Sequence, residues 1–457
     1  MVEWEEWGAA AFARARREGR PVLLSITAAW CRACHEMDAS TYADPAVAAL
    51  VRDRFVAVRV DADRRPDVNE RYHLGGWPTT AFLTADGQII TGATYVTADR
   101  MPAVLARVAE AFAQLPDAPG ASGPPGGRGD EPAAAAADPD ALVESIFASF
   151  DPVHGGFGVE PKFPHAAPLA LALALHTESG EARWRSIVET TLDAMWDGGL
   201  WDADAGGFYR YAPTRDWQQP HQEKLLDTNA ALLAIYTEAA VVFGRPVDRE
   251  RVDAIAGFIG VALRDPAGGY FGSDAEPMLY ADGNGLAVSA LLKASTVLDS
   301  ADLTQEALTS FERVLLACYR PGGGVAHQPD GRVRGLLADQ VAAMTALLDA
   351  HDLTGSEPYQ MMAEEIGHYM VQGLADPADG GFFDRLRRDD DIGLLREARK
   401  PFAGNADAAM ALWRLQRISR EFDFRTAATG ALLAAGRQAA RQGPLAAHYV
   451  LAARRLR

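Results

Sequence analysis

The chain has 457 residues, 48% of them hydrophobic, and a formal net charge of −18. That length exceeds one ordinary domain and supplies enough apolar side chains for a sizeable core. The acidic balance argues against nucleic acid and anionic membrane as partners, and no apolar run reads as long enough to span a bilayer. The 3 cysteines are few, and Glu3, Glu5 and Glu6 stand where a signal sequence would be apolar. Both features point to a reducing cytoplasm, where a Cys-x-x-Cys is more often catalytic than structural.

A helix is expected from about Trp7 to Glu18, then a core strand over Val22–Ile26. Directly after it comes Trp30-Cys31-Arg32-Ala33-Cys34-His35. Three chemistries compete for this motif: a redox pair, a haem attachment site and a zinc site. Haem attachment requires export and a second axial ligand, and zinc requires four ligands where the chain offers two thiolates and scattered histidines such as His35 and His73. A Cys-x-x-Cys between a strand and a helix favours redox chemistry, because the helix N-terminus stabilises the thiolate of the first cysteine. Downstream follow a strand over Phe55–Val60 and Gly75-Gly76-Trp77-Pro78. An X-Pro bond just before a strand is a candidate cis peptide. A hairpin of Thr80–Leu83 and Ile89–Gly92, turned at Asp86-Gly87, and a helix from Ala98 to Leu115 complete a thioredoxin-like α/β domain over 1–115.

Cys31 is expected to be the reactive, solvent-facing thiol and Cys34 the resolving one. Trp30, Arg32, His35, Trp77 and Pro78 would support them, with the Arg32 cation lowering the Cys31 pKa. Ser25 stands where thioredoxins proper keep a buried acid, so proton shuttling through a carboxylate there is not expected.

Residues 116–137 are rich in Pro, Gly and Ala and read as a flexible linker. From 138 to 457 about twelve helical segments alternate with glycine-rich loops: Asp151…Gly155-Gly156-Phe157, Asp202…Gly206-Gly207-Phe208, Asp265…Gly268-Gly269-Tyr270, Gly322-Gly323-Gly324-Val325 and Asp376…Gly380-Gly381-Phe382. A period of roughly 50–60 residues fits one helical hairpin per repeat. Six hairpins close into an (α/α)6 toroid; an open solenoid is the alternative. The fold class is therefore multidomain, α/β followed by an all-α toroid.

The segments between the loops and the next helices would gather at one mouth of the toroid. They hold Lys162, His165, Trp217, His221, Glu223, Lys224, Asp227, Asp274, Glu276, Lys400 and Asn405, the candidate pocket residues. Glu223 and Asp227 are four apart and are expected on one helix face, where a carboxylate pair beside Lys224 and His221 suits acid–base work. The chain has only four lysines, Lys162, Lys224, Lys293 and Lys400, and three fall in mouth segments. Their survival among so many arginines suggests a site, against the alternative of structural ion pairing such as Lys224 with Glu223 or Asp227. The aspartates before Gly-Gly are expected to brace turns, and Asp282 and Asp339 to be N-caps. Trp201, Tyr209, Tyr211 and Trp217 fit a sugar-stacking wall or core packing. Cys318 reads as a buried hydrophobe. No metal site and no cofactor are expected.

Arg20-Pro21…Leu24-Ser25-Ile26, Cys31-x-x-Cys34-His35, Gly155-Gly156-Phe157-Gly158…Pro161-Lys162-Phe163-Pro164, Pro220-His221-x-Glu223-Lys224…Asn229-Ala230 and Gly404-Asn405 together resemble the spermatogenesis-associated thioredoxin-domain family and its bacterial relatives. The resemblance implies a thioredoxin-like domain followed by a six-hairpin, glycosidase-like toroid. The chain departs from the family pattern at Gln222 and Asp227-Thr228 and lacks a long insertion between Glu276 and Tyr280. The leading expectation is a thiol–disulfide oxidoreductase whose toroid binds a substrate or client, the partner being a client protein or a small thiol. The alternatives are a carbohydrate-active hydrolase or epimerase working in the toroid, with a carbohydrate-like ligand there, and a non-catalytic scaffold.

Overall fold

The computed structural model describes residues 1–114, 135–420 and 422–456. The expected linker lies outside the described residues as far as 134. At its end Ala137 already belongs to the helical unit: its N–H donates to Gly436 O at 3.0 Å and its carbonyl accepts from Tyr449 Oη at 2.7 Å. The chain divides into two compact units, and Arg387–Ala398, which lies between toroid helices in sequence, belongs to the first.

The first unit is built on a five-stranded sheet in the order β1-β3-β2-β4-β5. Its strands are β1 (Glu5–Glu6), β2 (Val22–Thr27), β3 (Val56–Asp61), β4 (Thr79–Leu83) and β5 (Ile89–Ala93). β1 and β2 run parallel to β3, while β4 is antiparallel to β2 and β5. The helices are α1 (Ala9–Glu18), α2 (Arg32–Ser40), α3 (Pro45–Arg54), α4 (Pro66–Tyr72) and α5 (Met101–Ala113). The sequence reading missed β1, α3 and α4. Yet α3 carries a plain start signal: Pro45 at the first position and Asp44 as N-cap, accepting from Ala46 and Val47 N–H. The segment Arg387–Ala398 is held on α4. Arg71 donates from Nε to Leu394 O (2.9 Å) and from Nη2 to Glu397 O (3.1 Å), and Tyr72 Oη accepts from Leu394 N–H (2.9 Å).

The second unit is the toroid. Its outer helices are α6 (Pro139–Phe147), α8 (Ala182–Asp197), α10 (Pro246–Ala262), α12 (Ala301–Cys318), α14 (Glu357–Gly373) and α16 (Arg425–Ala439). The inner helices are α7 (Ala166–Ser179), α9 (Leu226–Phe243), α11 (Ala281–Leu298), α13 (Leu337–Thr354), α15 (Phe402–Ile418) and α17 (Ala447–Arg455). Each inner helix packs on the next, and α17 returns to α7, so the ring is closed rather than an open solenoid. The inner helices are apolar nearly all round, as burial against two neighbours and an outer layer demands. For that reason α9, 18 residues at mean hydropathy 1.3, would pass by length and composition as a membrane span, contrary to the sequence reading; it is an inner helix of the ring and half buried within it. One contact is set by a missing side chain. A Cβ on Gly285 of α11 would lie 2.6 Å from the Ala342 backbone of α13, so glycine permits the close approach of the two helices.

Candidate functional sites

β2 ends at Thr27 and α2 begins at Arg32, leaving Cys31 as N-cap; its Sγ accepts the Cys34 N–H at 3.2 Å. Cys31 and Cys34 form a disulfide with Cα atoms 5.3 Å apart. Sγ at the positive end of a helix favours thiolate once the bond is reduced. Cys31 is not solvent-facing as expected: it is 4% exposed and Cys34 1%. Trp30 meets Trp77 edge-on at 5.4 Å and donates from Nε1 to Asp63 Oδ2 at 2.6 Å, while His73 lies against Trp77 at 4.4 Å. The Trp77–Pro78 bond is cis, as the sequence suggested. Arg32 does not serve Cys31 alone: its Nε pairs with Glu36 Oε1 at 2.9 Å on the exposed side of α2, which offsets its charge. His35 is exposed, and its backbone N–H donates to Cys31 O at 3.2 Å. Ser25 is fully buried on β2 between Arg59 and Thr80 in register, so that position carries no carboxylate for proton transfer.

In the toroid the three mouth lysines do one repeated job. Lys162 Nζ donates to Asp151 Oδ2 (2.7 Å) and Gly155 O (2.6 Å). Lys224 does the same to Asp202 Oδ2 and Gly206 O (2.7 and 2.6 Å), and Lys400 to Asp376 Oδ2 and Gly380 O (2.7 and 2.6 Å). In these three repeats the lysine thus ties the aspartate that opens the glycine loop to the first glycine carbonyl. Those aspartates also brace their turns as expected, Asp151 accepting from Val153 and His154 N–H and Asp202 from Asp204 and Ala205 N–H. In the fourth loop Arg334 takes the place of the lysine, donating to Gly323 O and Gly324 O at 3.2 and 2.6 Å. Arg215 on Asp151, followed by Lys162, holds that carboxyl far below its usual range against the opposing effect of burial. Burial in turn lowers the Lys162 pKa, opposed by Asp151.

Asn405 is likewise structural. It stands fourth in α15, accepting Phe382 N–H at 2.7 Å and donating to Phe382 O at 3.0 Å. Asn229 and Asn284, each fourth in its own inner helix, clamp Phe208 and Tyr270 in the same way, and Gln340 clamps Val325. Trp217 is fully buried under this framework, its Nε1 donating to His154 O at 2.8 Å. His165 is the N-cap residue of α7, and burial followed by His448 lowers its pKa.

The remaining candidates face the mouth. His221 stacks on Tyr211 at 4.3 Å, which stacks on Phe163 at 4.8 Å. Glu223 lies 3.7 Å from His221 Nδ1, and its buried Oε2 meets no hydrogen-bond partner among the described residues. Glu223 precedes α9 rather than sharing a helix face with Asp227, since the helix starts at Leu226. Asp274 is exposed and Glu276 half-buried in the loop before α11. Asp227 is exposed to solvent, yet desolvation by the enclosing ring, with the neighbouring Asp282 charge, raises its pKa.

Asp282 and Asp339 are not N-caps. Tyr280 and Leu336 hold those places, and the aspartates sit inside the first turns of α11 and α13. Both meet His327, a residue the sequence analysis passed over. Its Nδ1 is 2.8 Å from Asp339 Oδ1 and 3.8 Å from Asp282 Oδ1, and Tyr280 stacks on its ring at 5.1 Å. His327 is fixed in place by its backbone, its N–H donating to Val333 O and its carbonyl accepting from Ala281 N–H, both at 2.9 Å. Asp339 is fully buried, and burial, moderated by His327, raises its pKa to about 6. The signal that would have found His327 is a lone histidine two residues past a glycine loop, twelve before an aspartate in the first turn of an inner helix.

Residues 1–118 match the family model described as Protein of unknown function, DUF255 (Thioredox_DsbH). The chain is 32% identical over 262 residues to the Caenorhabditis elegans uncharacterized protein B0495.5, covering 52% of this chain and 36% of that protein. It is 29% identical over 304 residues to human spermatogenesis-associated protein 20, covering 60% and 38% respectively. The match thus spans little more than a third of these relatives. Over 79 residues, 17% of this chain and 14% of the relative, it is 38% identical to the Salmonella typhi thiol:disulfide interchange protein DsbD. In fold it is similar to the cellobiose 2-epimerase of Bacillus thermoamylovorans, with TM-score 0.55 at 11% identity over 64% of this chain and 85% of that one. The family resemblance and the α/β-plus-toroid fold class are therefore shown; the epimerase likeness carries fold alone.

Proposed function

We propose that this relative of the spermatogenesis-associated thioredoxin-domain proteins is a thiol–disulfide oxidoreductase working through Cys31 and Cys34, with the toroid binding its substrate or client. The observation that carries the proposal is the Cys31–Cys34 disulfide with Cys31 Sγ as the N-cap of α2. In the reduced pair the Cys31 thiolate attacks a client disulfide, forming a mixed disulfide and releasing one client thiolate. Cys34 then attacks Cys31 Sγ, the pair closes, and the second client thiolate leaves with two electrons transferred. A dithiol reductant must reopen the pair. Burial of both sulfurs in the oxidised form means that a client has to enter beside Trp30 and Trp77, which favours docked protein or peptide over bulk small thiols. Cys34→Ser removes the resolving thiol and should trap a mixed disulfide at Cys31 that a reductant releases. If oxidised extracts yield no Cys31-dependent adduct with Cys34→Ser, the proposal fails.

The second reading places a carbohydrate-like ligand in the toroid. It is supported by the Phe163–Tyr211–His221 stack and by the exposure of Asp227 and Asp274. Lys224 is excluded from the acid–base role first considered for it, because both Asp202 and Gly206 O occupy its ammonium. A thermal-shift screen of neutral sugars tests this reading, with Asp227→Asn as control. Binding that survives the substitution of both Asp227 and His221 would refute it.

A further inference from the structure

We infer that Asp282, His327 and Asp339 form a binding site for one divalent cation of borderline hardness, Mn²⁺ or Zn²⁺, at the mouth end of the inner helix ring. The three side chains come from three separate pieces of chain, the first turn of α11, the hairpin after Gly324 and the first turn of α13. Their donor atoms nonetheless lie within 4.8 Å of one another. Carboxylates and imidazoles ligate such ions at about 2.0–2.2 Å, so neighbouring ligands around one ion fall about 3–4 Å apart. The His327 Nδ1 distances of 2.8 Å to Asp339 and 3.8 Å to Asp282 match that spacing.

Charge supplies the second, independent argument. Among the described residues no lysine or arginine forms an ion pair with Asp282 or Asp339; His327 is the one cationic partner either has. Two carboxylates around one imidazole leave net negative charge even when the ring is protonated. Asp339 is fully buried, and among the described residues its Oδ2 meets no hydrogen-bond donor while Oδ1 faces His327. A buried carboxylate oxygen left without a partner is costly, and elsewhere in this ring the buried carboxylate of Asp151 and the half-buried one of Asp202 are each matched by a lysine. A divalent ion bound by the three groups would take up that oxygen and match the two negative charges with a neutral imidazole. One nitrogen and two carboxylates suit Mn²⁺ or Zn²⁺ better than Mg²⁺ or Cu²⁺. Three protein ligands leave coordination positions open, and Asp282, with 34% of its side chain exposed, marks the side on which water or a ligand would complete them. This inference is independent of the disulfide chemistry proposed above.

The test uses the full chain, free of tag, stripped with chelator and kept oxidised so that Cys31 and Cys34 offer no thiolate. Calorimetric titration with MnCl₂ and with ZnCl₂, checked by elemental analysis after desalting, should give one bound equivalent of one of the two ions. His327→Gln and Asp339→Asn should each weaken binding at least tenfold. Asp282→Asn, at a partly exposed position where folding is not at stake, should weaken it by a similar factor. Neither ion reaching a stoichiometry near one, or Asp282→Asn and His327→Gln both binding as the wild type does, would overturn the inference.

Discussion

Lys162→Met tests the assignment of the mouth lysines to structure. Lys162 has a fully buried side chain, and Asp151 opposite it is 3% exposed. The substitution keeps the length of the chain but leaves Gly155 O without its donor and Asp151 with Arg215 as its remaining cation. Burial disfavours the ammonium while the pairing favours the carboxylate, so the two pKa shifts oppose each other and do not sum to a stability. Removing one partner of a buried pair costs about 3–5 kcal/mol, and the surviving Arg215 contact argues for the lower end. At about 2–4 °C per kcal/mol for a domain of this class, Tm should fall by roughly 6–12 °C. Lys293 is the control, because its side chain is 51% exposed and its Nζ stands 3.2 Å from Asp349. Lys293→Met should cost below about 1 kcal/mol. Differential scanning calorimetry of the full chain separates the two. Equal shifts, or a Lys162→Met protein melting within about 2 °C of the wild type, would show that the lysine is held for something other than the fold.

Asn405→Ala deletes both halves of the clamp on Phe382 and should destabilise the toroid by about 2–3 kcal/mol in urea unfolding, since two buried backbone groups lose their partners; a change under about 0.5 kcal/mol would refute the clamp. Acid should act through the loop aspartates. Burial would raise the carboxyl groups of Asp202 and Asp376, but Lys224 and Lys400 hold both below the ordinary carboxyl value of 3.8, and Arg215 with Lys162 holds Asp151 well below it too. Folded-state values below the unfolded one mean stability that is fully present above 3.8 and lost as pH falls through the folded values. Helical circular dichroism in fixed urea should therefore show little contribution from these groups between about pH 6 and about pH 4 and a steepening loss below. Lys224→Met should reduce that steep part, and a variant with the wild-type slope would count against the pairing.

The repeat architecture was legible because each hairpin carries the same punctuation. The Asp…Gly-Gly-aromatic loops and the apolar inner helices set the period, and the twelve helices of the six hairpins follow it. The partners of the lysines were not legible. Lys224 reads in sequence as a neighbour of Glu223 and Asp227, whereas it folds back twenty-two residues to Asp202. The rarity of lysine was a true signal with a structural cause: in three loops a compact ammonium joins an aspartate to a glycine carbonyl, while in the fourth the Arg334 guanidinium bridges two glycine carbonyls. Asp282 and Asp339 misled because an acid near a helix start resembles a cap, and only the tertiary placement of His327 shows otherwise. The Arg387–Ala398 segment was hidden for a similar reason. Nothing in Ile392-Gly393-Leu394 announces that it folds on Arg71 and Tyr72, more than three hundred residues earlier.

The central claim is that Cys31 and Cys34 exchange disulfides with another molecule. Insulin reduction by dithiothreitol, followed by turbidity, tests it most directly with the full chain against Cys31→Ser. The account predicts that the wild type shortens the lag in proportion to its concentration and that Cys31→Ser does not. A wild-type protein no faster than Cys31→Ser, with its own disulfide verified as reducible under the same conditions, would contradict it.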